Sequence, residues 1–377
     1  MHVAVLGAGY AGLGVARRLE RSLPPDVDLT VVDDGPDHVL THEIHRAVRR
    51  PAVAEAVRVP LADVLDRAEI VTDPVDSFDP ETGHVELASG DTLQYDYGAV
   101  AFGSDTAYYG IDGLREHAHP LKTLEDAAAI REDALDTIAD GGDVVVGGAG
   151  LSGVQVAGEI AALAREEGAT VPEDVSVTLV EQLETVAPNF PANFRRAVRE
   201  ALVDRGIEIR TDTTVTAVGD GEVVTDGRDL SADTLVWTGG IAGQPAADGD
   251  RPVVQADLRL TDRTLAVGDA ARVVGADGEA VPASASAAIR EAKTAATNLE
   301  RLVDGGTDGF SPRLARYRFD VPGWLVSVGD GAVAQLGPTV LTGAAAKAAK
   351  TTVGAGYLTS VGAAQKAVEL TENEILS

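Results

Sequence analysis

The chain has 377 residues, enough for two or three domains with well-buried cores, and it carries 60 acidic residues against 31 basic ones. A net charge of -29 excludes nucleic acid as a partner, because phosphate binding needs basic patches; it reads instead as the surface of a halophilic, salt-adapted protein. With no cysteine, the chain has no redox-active disulfide, no reactive thiolate and no iron–sulfur cluster.

In chain order, HVAVL at 2–6 has the pattern of a short buried strand. A glycine loop follows, then a helix from about Ala11 to Leu23 and a second strand, DLTVVD, at 28–33. This is a βαβ unit. Residues 36–68 are mixed and are expected to be helical in two pieces, and segments 69–75, 83–88 and 92–101 read as strands of a meander. GDVVVGGAG at 142–150 opens a second βαβ unit, with its helix from about Ser152 to Arg165 and its next strand at 176–181. Short strands are expected at 207–218, 222–225 and 233–238, a buried strand at 264–268, and an alanine-rich helix from about Ala283 to Leu302. After Phe310 the composition changes, and a third domain is expected there. No apolar run approaches membrane-spanning length, and strand-like residues from His2 onward argue against a signal peptide, so a soluble body in the cytoplasm is expected.

The chemistry lies in the two glycine loops. Gly7-Ala-Gly9-Tyr10-Ala11-Gly12 lies between a strand and a helix. The first glycine permits the tight turn, the second lets the backbone approach a pyrophosphate, and the third lets helix and strand pack closely. The helix N-terminus then stabilises phosphate charge. Asp33 ends the next strand, where a carboxylate takes ribose hydroxyls. Gly148-Ala-Gly150-Leu151-Ser152-Gly153 repeats the arrangement, with Glu181 as its acid. A carboxylate there accepts from a free 2′-hydroxyl and repels a 2′-phosphate, and the neighbouring Gln182 supplies no compensating charge, so NADH is expected over NADPH. Two dinucleotide sites in one chain imply hydride transfer from a nicotinamide to a flavin. The strand end Leu265-Ala-Val-Gly268-Asp269 and the segment Val100-Ala101-Phe-Gly103-Ser104 fit that arrangement by position.

Together these segments resemble the type II NADH dehydrogenases, single-subunit NADH:quinone oxidoreductases of the FAD-dependent pyridine nucleotide oxidoreductase superfamily. The likeness runs through YDYGAVAFGSDTAYYGIDGLREHAHPLKTLEDAAAIRE (95–132), VVVGGAGLSGVQVAGEIAAL (144–163), DTLVWTGGIAGQP (233–245) and TLAVGDAARV (264–273), and spans about residues 1–337. It implies an α/β fold with two Rossmann-like domains, the FAD domain discontinuous, plus a C-terminal α/β domain. The corresponding boundaries are 1–113 with 242–305 for FAD, 114–241 for NADH and 306–377 for membrane association or dimerisation. It further implies that Gly7, Gly9, Tyr10, Ala11, Gly12, Asp33, His42, Val75, Ala101, Gly103, Gly268, Asp269 and Ala285 hold FAD. Gly148, Gly150, Leu151, Ser152, Gly153, Glu181 and Gly240 would serve NADH. Glu159 matches a catalytic carboxylate near the nicotinamide; read from the residues alone, it could equally be a solvated helix residue.

The sequence departs from the family on the quinone side. Ser286 and Arg290 stand where two glutamines are typical, and the segment His38-Val-Leu-Thr-His42-Glu43 carries an acid where apolar residues are expected. The helix after Pro282 should still point its N-terminus at the flavin. His38, His42 and His45 fall on one helical face, but a flavin-pocket or solvated role outweighs metal binding, and no metal is expected. Gly331–Val368 contains no Asp or Glu but three of the five lysines, Lys347, Lys350 and Lys366. Two readings stand side by side for this stretch. One is an amphipathic helix pair in weak peripheral contact with the inner face of the cell membrane; the other is a close-packed homodimer interface. The expected activity is hydride transfer from NADH to FAD and electron delivery to a quinone. The alternatives are reduction of a soluble carrier of ferredoxin or rubredoxin type and a non-enzymatic NADH-sensing flavoprotein. Disulfide and sulfide:quinone reductases fail for want of cysteine.

Overall fold

The computed structural model describes residues 1–308 and 312–375. The expected third-domain start at Phe310 lies outside these residues. Strand β1 (His2–Leu6) is buried over its last four positions and has parallel neighbours on both sides, which is why it reads as a continuous apolar run. It leads through the first glycine loop into α1 (Tyr10–Ser22), which buries Leu13, Val15, Ala16 and Leu19, and then into β2 (Asp28–Asp33).

The next stretch departs from expectation. Residues 36–68 are not simply two helical pieces: Asp37–Val39 pairs antiparallel with Arg58–Pro60 around short helical turns that include α2 (His45–Arg49). His38 therefore sits on a strand, His42 in a 3-10 turn and His45 at the start of α2, so the three do not share a helical face. The expected meander is also divided. β3 (Glu69–Thr72) and β4 (Tyr97–Val100) join the parallel sheet, while Val75–Asp79, His84–Leu87 and Thr92–Gln94 form a separate antiparallel one. Thr92–Gln94 and β4 are separated by only two residues, so 92–101 reads as one strand although it serves two sheets.

After α3 (Leu124–Asp140), whose Thr123 and Asp126 form a reciprocal capping box, the second unit runs β5 (Asp143–Gly147), α4 (Leu151–Glu166) and β6 (Ser176–Val180). β7 (Glu208–Arg210) and β8 (Thr234–Trp237) follow, giving a parallel sheet in the order His119–Pro120, β8, β5, β6, β7. β9 (Thr264–Ala266) returns to the first sheet beside β4, giving the order β9-β4-β1-β2-β3. The first sheet is thus discontinuous in sequence. α5 (Ala285–Asp308) packs along α1 so closely that a Cβ on Gly14 would lie 2.8 Å from that of Ala292.

The C-terminal part is an antiparallel sheet of β10 (Gly323–Val328), β11 (Gly331–Leu336) and β12 (Thr339–Thr342), then α6 (Gly343–Ser360) and α7 (Ala364–Ile375). The acid-free stretch from Gly331 is therefore not a helix pair throughout, because its first third is strand.

Candidate active site

The two glycine loops share one packing plan. At Gly7 a side chain would strike the backbone of Phe102 at 2.5 Å; at Gly148 it would strike Gly239 at 2.6 Å. At Gly12 and Gly153 a Cβ would fall 1.7 and 1.9 Å from the carbonyl oxygens of Gly7 and Gly148. The middle glycines, Gly9 and Gly150, face open space, with nothing within 4 Å of a Cβ. In each loop two glycines are required by the protein's own packing, and the third opens a cradle at a helix N-terminus. That is the shape a pyrophosphate needs.

Each loop is braced by its acid. Asp33 accepts from the backbone N–H of Ala8 and, at 3.1 Å, of Gly35. Burial raises its pKa to about 7 against the pull of those two bonds. Glu181 accepts from Ala149 at 2.9 Å and from Leu183 at 3.0 Å. Leu151 and Ser152 open α4 beside Gly150.

Around the first loop, Ala101 accompanies Gly12, with its Cβ 3.2 Å from the position a Gly12 side chain would take. Gly103 has φ +74 and faces open space. Gly268 (φ +63) sits between Ala11 and Ala288, so the Gly268-Asp269 turn brings together the N-terminal ends of α1 and α5, the latter beginning at Ala285. Val75 starts a strand just beyond Asp73, whose N–H donates to the carbonyl of Asp33. On the second loop, Gly240 has φ +156 and borders the Gly239 backbone that packs on Gly148.

Sequence reasoning missed two groups here. Lys122 Nζ donates to Ser104 Oγ at 3.1 Å; burial lowers its pKa while Asp269 and Asp105 pull it up. Glu291 is buried and accepts from Gly268 N–H at 2.7 Å; burial pushes its carboxyl up to about 7. The rarity of lysine in this chain was the available signal for Lys122. Glu291 left none, since a helical Glu usually faces water.

A buried polar network joins the three parts of the chain. Glu159 on α4 is only 2% exposed and binds Arg49 Nε of α2 at 2.6 Å, which corrects the solvated reading. Burial raises its pKa and Arg49 opposes that rise. Glu43 lies 3.1 Å from Lys350 of α6 and 3.2 Å from Arg46. Burial would raise its pKa, but the charges beside it, Lys350 first and then Arg46, hold it below the usual carboxylate range. Ser327 Oγ accepts from Lys350 and Gln155, both at 3.3 Å, so its proton goes to His45 Nε2 at 2.8 Å. Burial lowers the pKa of His45, consistent with a neutral acceptor ring.

Beside the first loop, the carbonyl of Ala8 can only accept, so His38 Nδ1 donates to it at 2.9 Å and Nε2 accepts from the Tyr357 hydroxyl at 2.9 Å. Burial brings His38 to about 4, so it is neutral at pH 7. Tyr10 hydrogen-bonds His42, and its ring packs edge-on to Tyr357 at 5.0 Å. The three histidines are thus each engaged with protein partners. Among the described residues no group of three His, Asp or Glu could hold a metal.

The two departures on α5 meet each other: Arg290 Nη1 donates to Ser286 Oγ at 2.7 Å and to its carbonyl at 3.0 Å. The lysines of the acid-free stretch are less available than its composition suggests. Lys350 is buried against Glu43, and Lys366 pairs with Glu369 at 3.1 Å and Glu55 at 3.5 Å.

Two parallel sheets in one chain, each carrying a glycine loop with a braced acid at its carboxyl edge, define a two-dinucleotide oxidoreductase. The sequence pattern of the pyridine nucleotide-disulphide oxidoreductases matches residues 1–292, and the chain belongs to that family. It lacks the cysteines of the family's name. It is 27% identical over 333 residues to the type II NADH:quinone oxidoreductase of Staphylococcus aureus, covering 80% of this chain and 83% of the relative. Its fold is similar to that of NDH2 from Plasmodium falciparum, solved in complex with NADH, with a TM-score of 0.83 and 14% identity over 98% of this chain and 97% of the other. It is also similar to the sulfide:quinone oxidoreductase of Aquifex aeolicus, with a TM-score of 0.82 and 19% identity over 97% and 92%.

Proposed function

We propose that this chain is an FAD-dependent NADH dehydrogenase that delivers electrons to a quinone. The observation that carries the reading is the duplicated loop: two cradles of one packing plan, each with its own acid, in a chain without cysteine. FAD, when bound, supplies the hydride acceptor for NADH and the two-electron donor for the quinone.

The chain's own groups bind and orient. Gly7, Gly9 and Gly12 hold the FAD pyrophosphate on the N-terminus of α1, and Asp33 takes the ribose. Tyr10, Ala11, His42, Val75, Ala101, Gly103, Gly268, Asp269 and Ala285 complete that site, and Lys122 and Glu291 support it. Gly148, Gly150 and Gly153, with Leu151, Ser152 and Gly240, hold NADH. Glu181, anchored by two backbone N–H groups, keeps a carboxylate where a 2′-phosphate would have to sit, which selects NADH. Glu159, locked by Arg49, is the charged group assigned to the nicotinamide end, where it sets the field rather than carrying a proton.

Among the described residues no helix is long and apolar enough to cross a membrane. In this reading, contact with a quinone-bearing bilayer is weak and peripheral. It falls to the outer edges of α6 and α7, where Val353 and Val368 are exposed and the buried or paired lysines add little. A homodimer through the same edge is the competing outcome, separated by vesicle co-sedimentation and solution mass. A soluble electron carrier is the second acceptor reading, favoured by the Ser286–Arg290 pair on α5.

The test is stopped-flow reduction of the flavin by NADH, then reoxidation by a quinone, by dioxygen and by a ferredoxin. Fast reduction and quinone reoxidation are expected. A colourless protein that cannot be reconstituted with FAD in high salt refutes the whole reading, and reoxidation only by a protein carrier refutes the quinone.

A further inference from the structure

Tyr109 is placed where neither turn chemistry nor core packing asks for a tyrosine. Tyr108 to Ile111 form a turn closed by the Ile111 N–H on the Tyr108 carbonyl at 3.0 Å. Its two central residues, Tyr109 (φ 53) and Gly110 (φ 67), are both left-handed. Such a turn selects Gly, Asn or Asp at its first central position, and a bulky side chain there is strained. Burial does not repay that strain, because Tyr109 is 66% exposed, the most exposed large apolar or aromatic side chain among the described residues.

Its position gives the reason. The hydroxyl donates to the carbonyl of Gly239 at 3.3 Å and lies 1.9 Å from where a Cβ on Gly240 would be. Gly239 is the residue against which Gly148 packs, and Thr238 Oγ1 donates to the carbonyls of Gly147 and Gly148 at 3.0 Å. Residues 105–106 pair with 241–242, and Trp237 Nε1 donates to the Ala107 carbonyl at 2.9 Å, so Tyr109 is held rigidly to this edge. The ring stands in solvent at the carboxyl edge of the second sheet, on the connection that leads from Gly103 of the first site. Ligands of such sheets bind at that edge. Residues kept in strained conformations gather at binding sites.

We infer that Tyr109 is a binding residue for the nicotinamide nucleotide, its ring forming the aromatic wall against which the nicotinamide-ribose end of NADH rests. This deepens the proposed NADH site and rests on it.

The test compares Tyr109→Gly and Tyr109→Phe in the flavin-loaded full chain. Glycine suits φ 53, so this variant relieves the turn instead of breaking it. The readouts are the dissociation constant of NAD+ by calorimetry, the thermal midpoint, and KM against kcat for NADH. The expected result is an NAD+ dissociation constant and a KM each raised about tenfold in Tyr109→Gly, with the midpoint unchanged or higher. Tyr109→Phe should keep most of the affinity, because the ring remains. An NAD+ affinity in Tyr109→Gly within twofold of wild type overturns the inference. So does a loss of affinity that comes only with a lowered midpoint, which would make Tyr109 a brace for the turn. If the wild-type protein itself binds no NAD+, the proposed function fails, and the two failures are told apart.

Discussion

Replacing Lys350 by Met tests whether the C-terminal helix is locked to the first site by charge. Lys350 is 7% exposed and Glu43 3% exposed, and their 3.1 Å pair joins α6 to the turn before α2. Removing the ammonium leaves a buried carboxylate with only Arg46 at 3.2 Å and two neutralised histidines beside it. Breaking a buried pair typically costs ~3–5 kcal/mol, and the remaining guanidinium favours the lower end. A loss of about 3 kcal/mol is roughly a hundredfold in the opening equilibrium. Hydrogen exchange of the α6 amides in high salt should therefore speed up by about that factor in Lys350→Met.

The pH dependence has a definite sign. In the wild type the Glu43 pKa is depressed, so its stabilisation is present above the unfolded value of about 4.3 and is lost as pH falls through the folded one. Without Lys350 that pKa rises toward the unfolded value, so the penalty of the variant should stay flat from about pH 7 to 5 and shrink only as the pH falls below about 4.3. The double variant Glu43→Gln, Lys350→Met should recover most of the loss, because no uncompensated charge remains. Exchange accelerated less than threefold, or equally in single and double variants, would refute the reasoning.

Three further outcomes are expected. Gly9→Ala should fold normally, since a side chain there meets nothing within 4 Å, yet bind FAD at least tenfold more weakly; Gly12→Ala should lower the thermal midpoint of the apoprotein, since its Cβ falls 1.7 Å from the Gly7 carbonyl. Flavin titrations and melts of the two variants check this. Glu181→Ser should narrow the preference for NADH over NADPH by an order of magnitude or more, measured as the ratio of flavin reduction rates, because the fixed carboxylate is removed while a short hydroxyl remains. Stability should rise steeply with salt from dilute buffer to molar concentration, because a net charge of -29 repels itself when unscreened; a thermal midpoint indifferent to salt would contradict it.

The sequence by itself determined the two βαβ units and their loops. Strand, glycine spacing, helix and terminal acid are all local, and each loop's geometry follows from residues within about thirty positions. Gly7 through Asp33 and Gly148 through Glu181 accordingly lie where the pattern put them. Only the tertiary structure decided how distant segments meet. Strands adjacent in the chain went to different sheets, because pairing partners such as β9 beside β4 lie more than a hundred residues apart. The three lysines of the acid-free stretch looked like a free cationic surface, yet Lys350 is buried, because a carboxylate at Glu43 faces it across the fold. Glu159 looked equally able to be solvated or buried until Arg49 closed on it. A long-range ion pair leaves no period or spacing in the chain, for its partners are chosen by packing and not by neighbourhood.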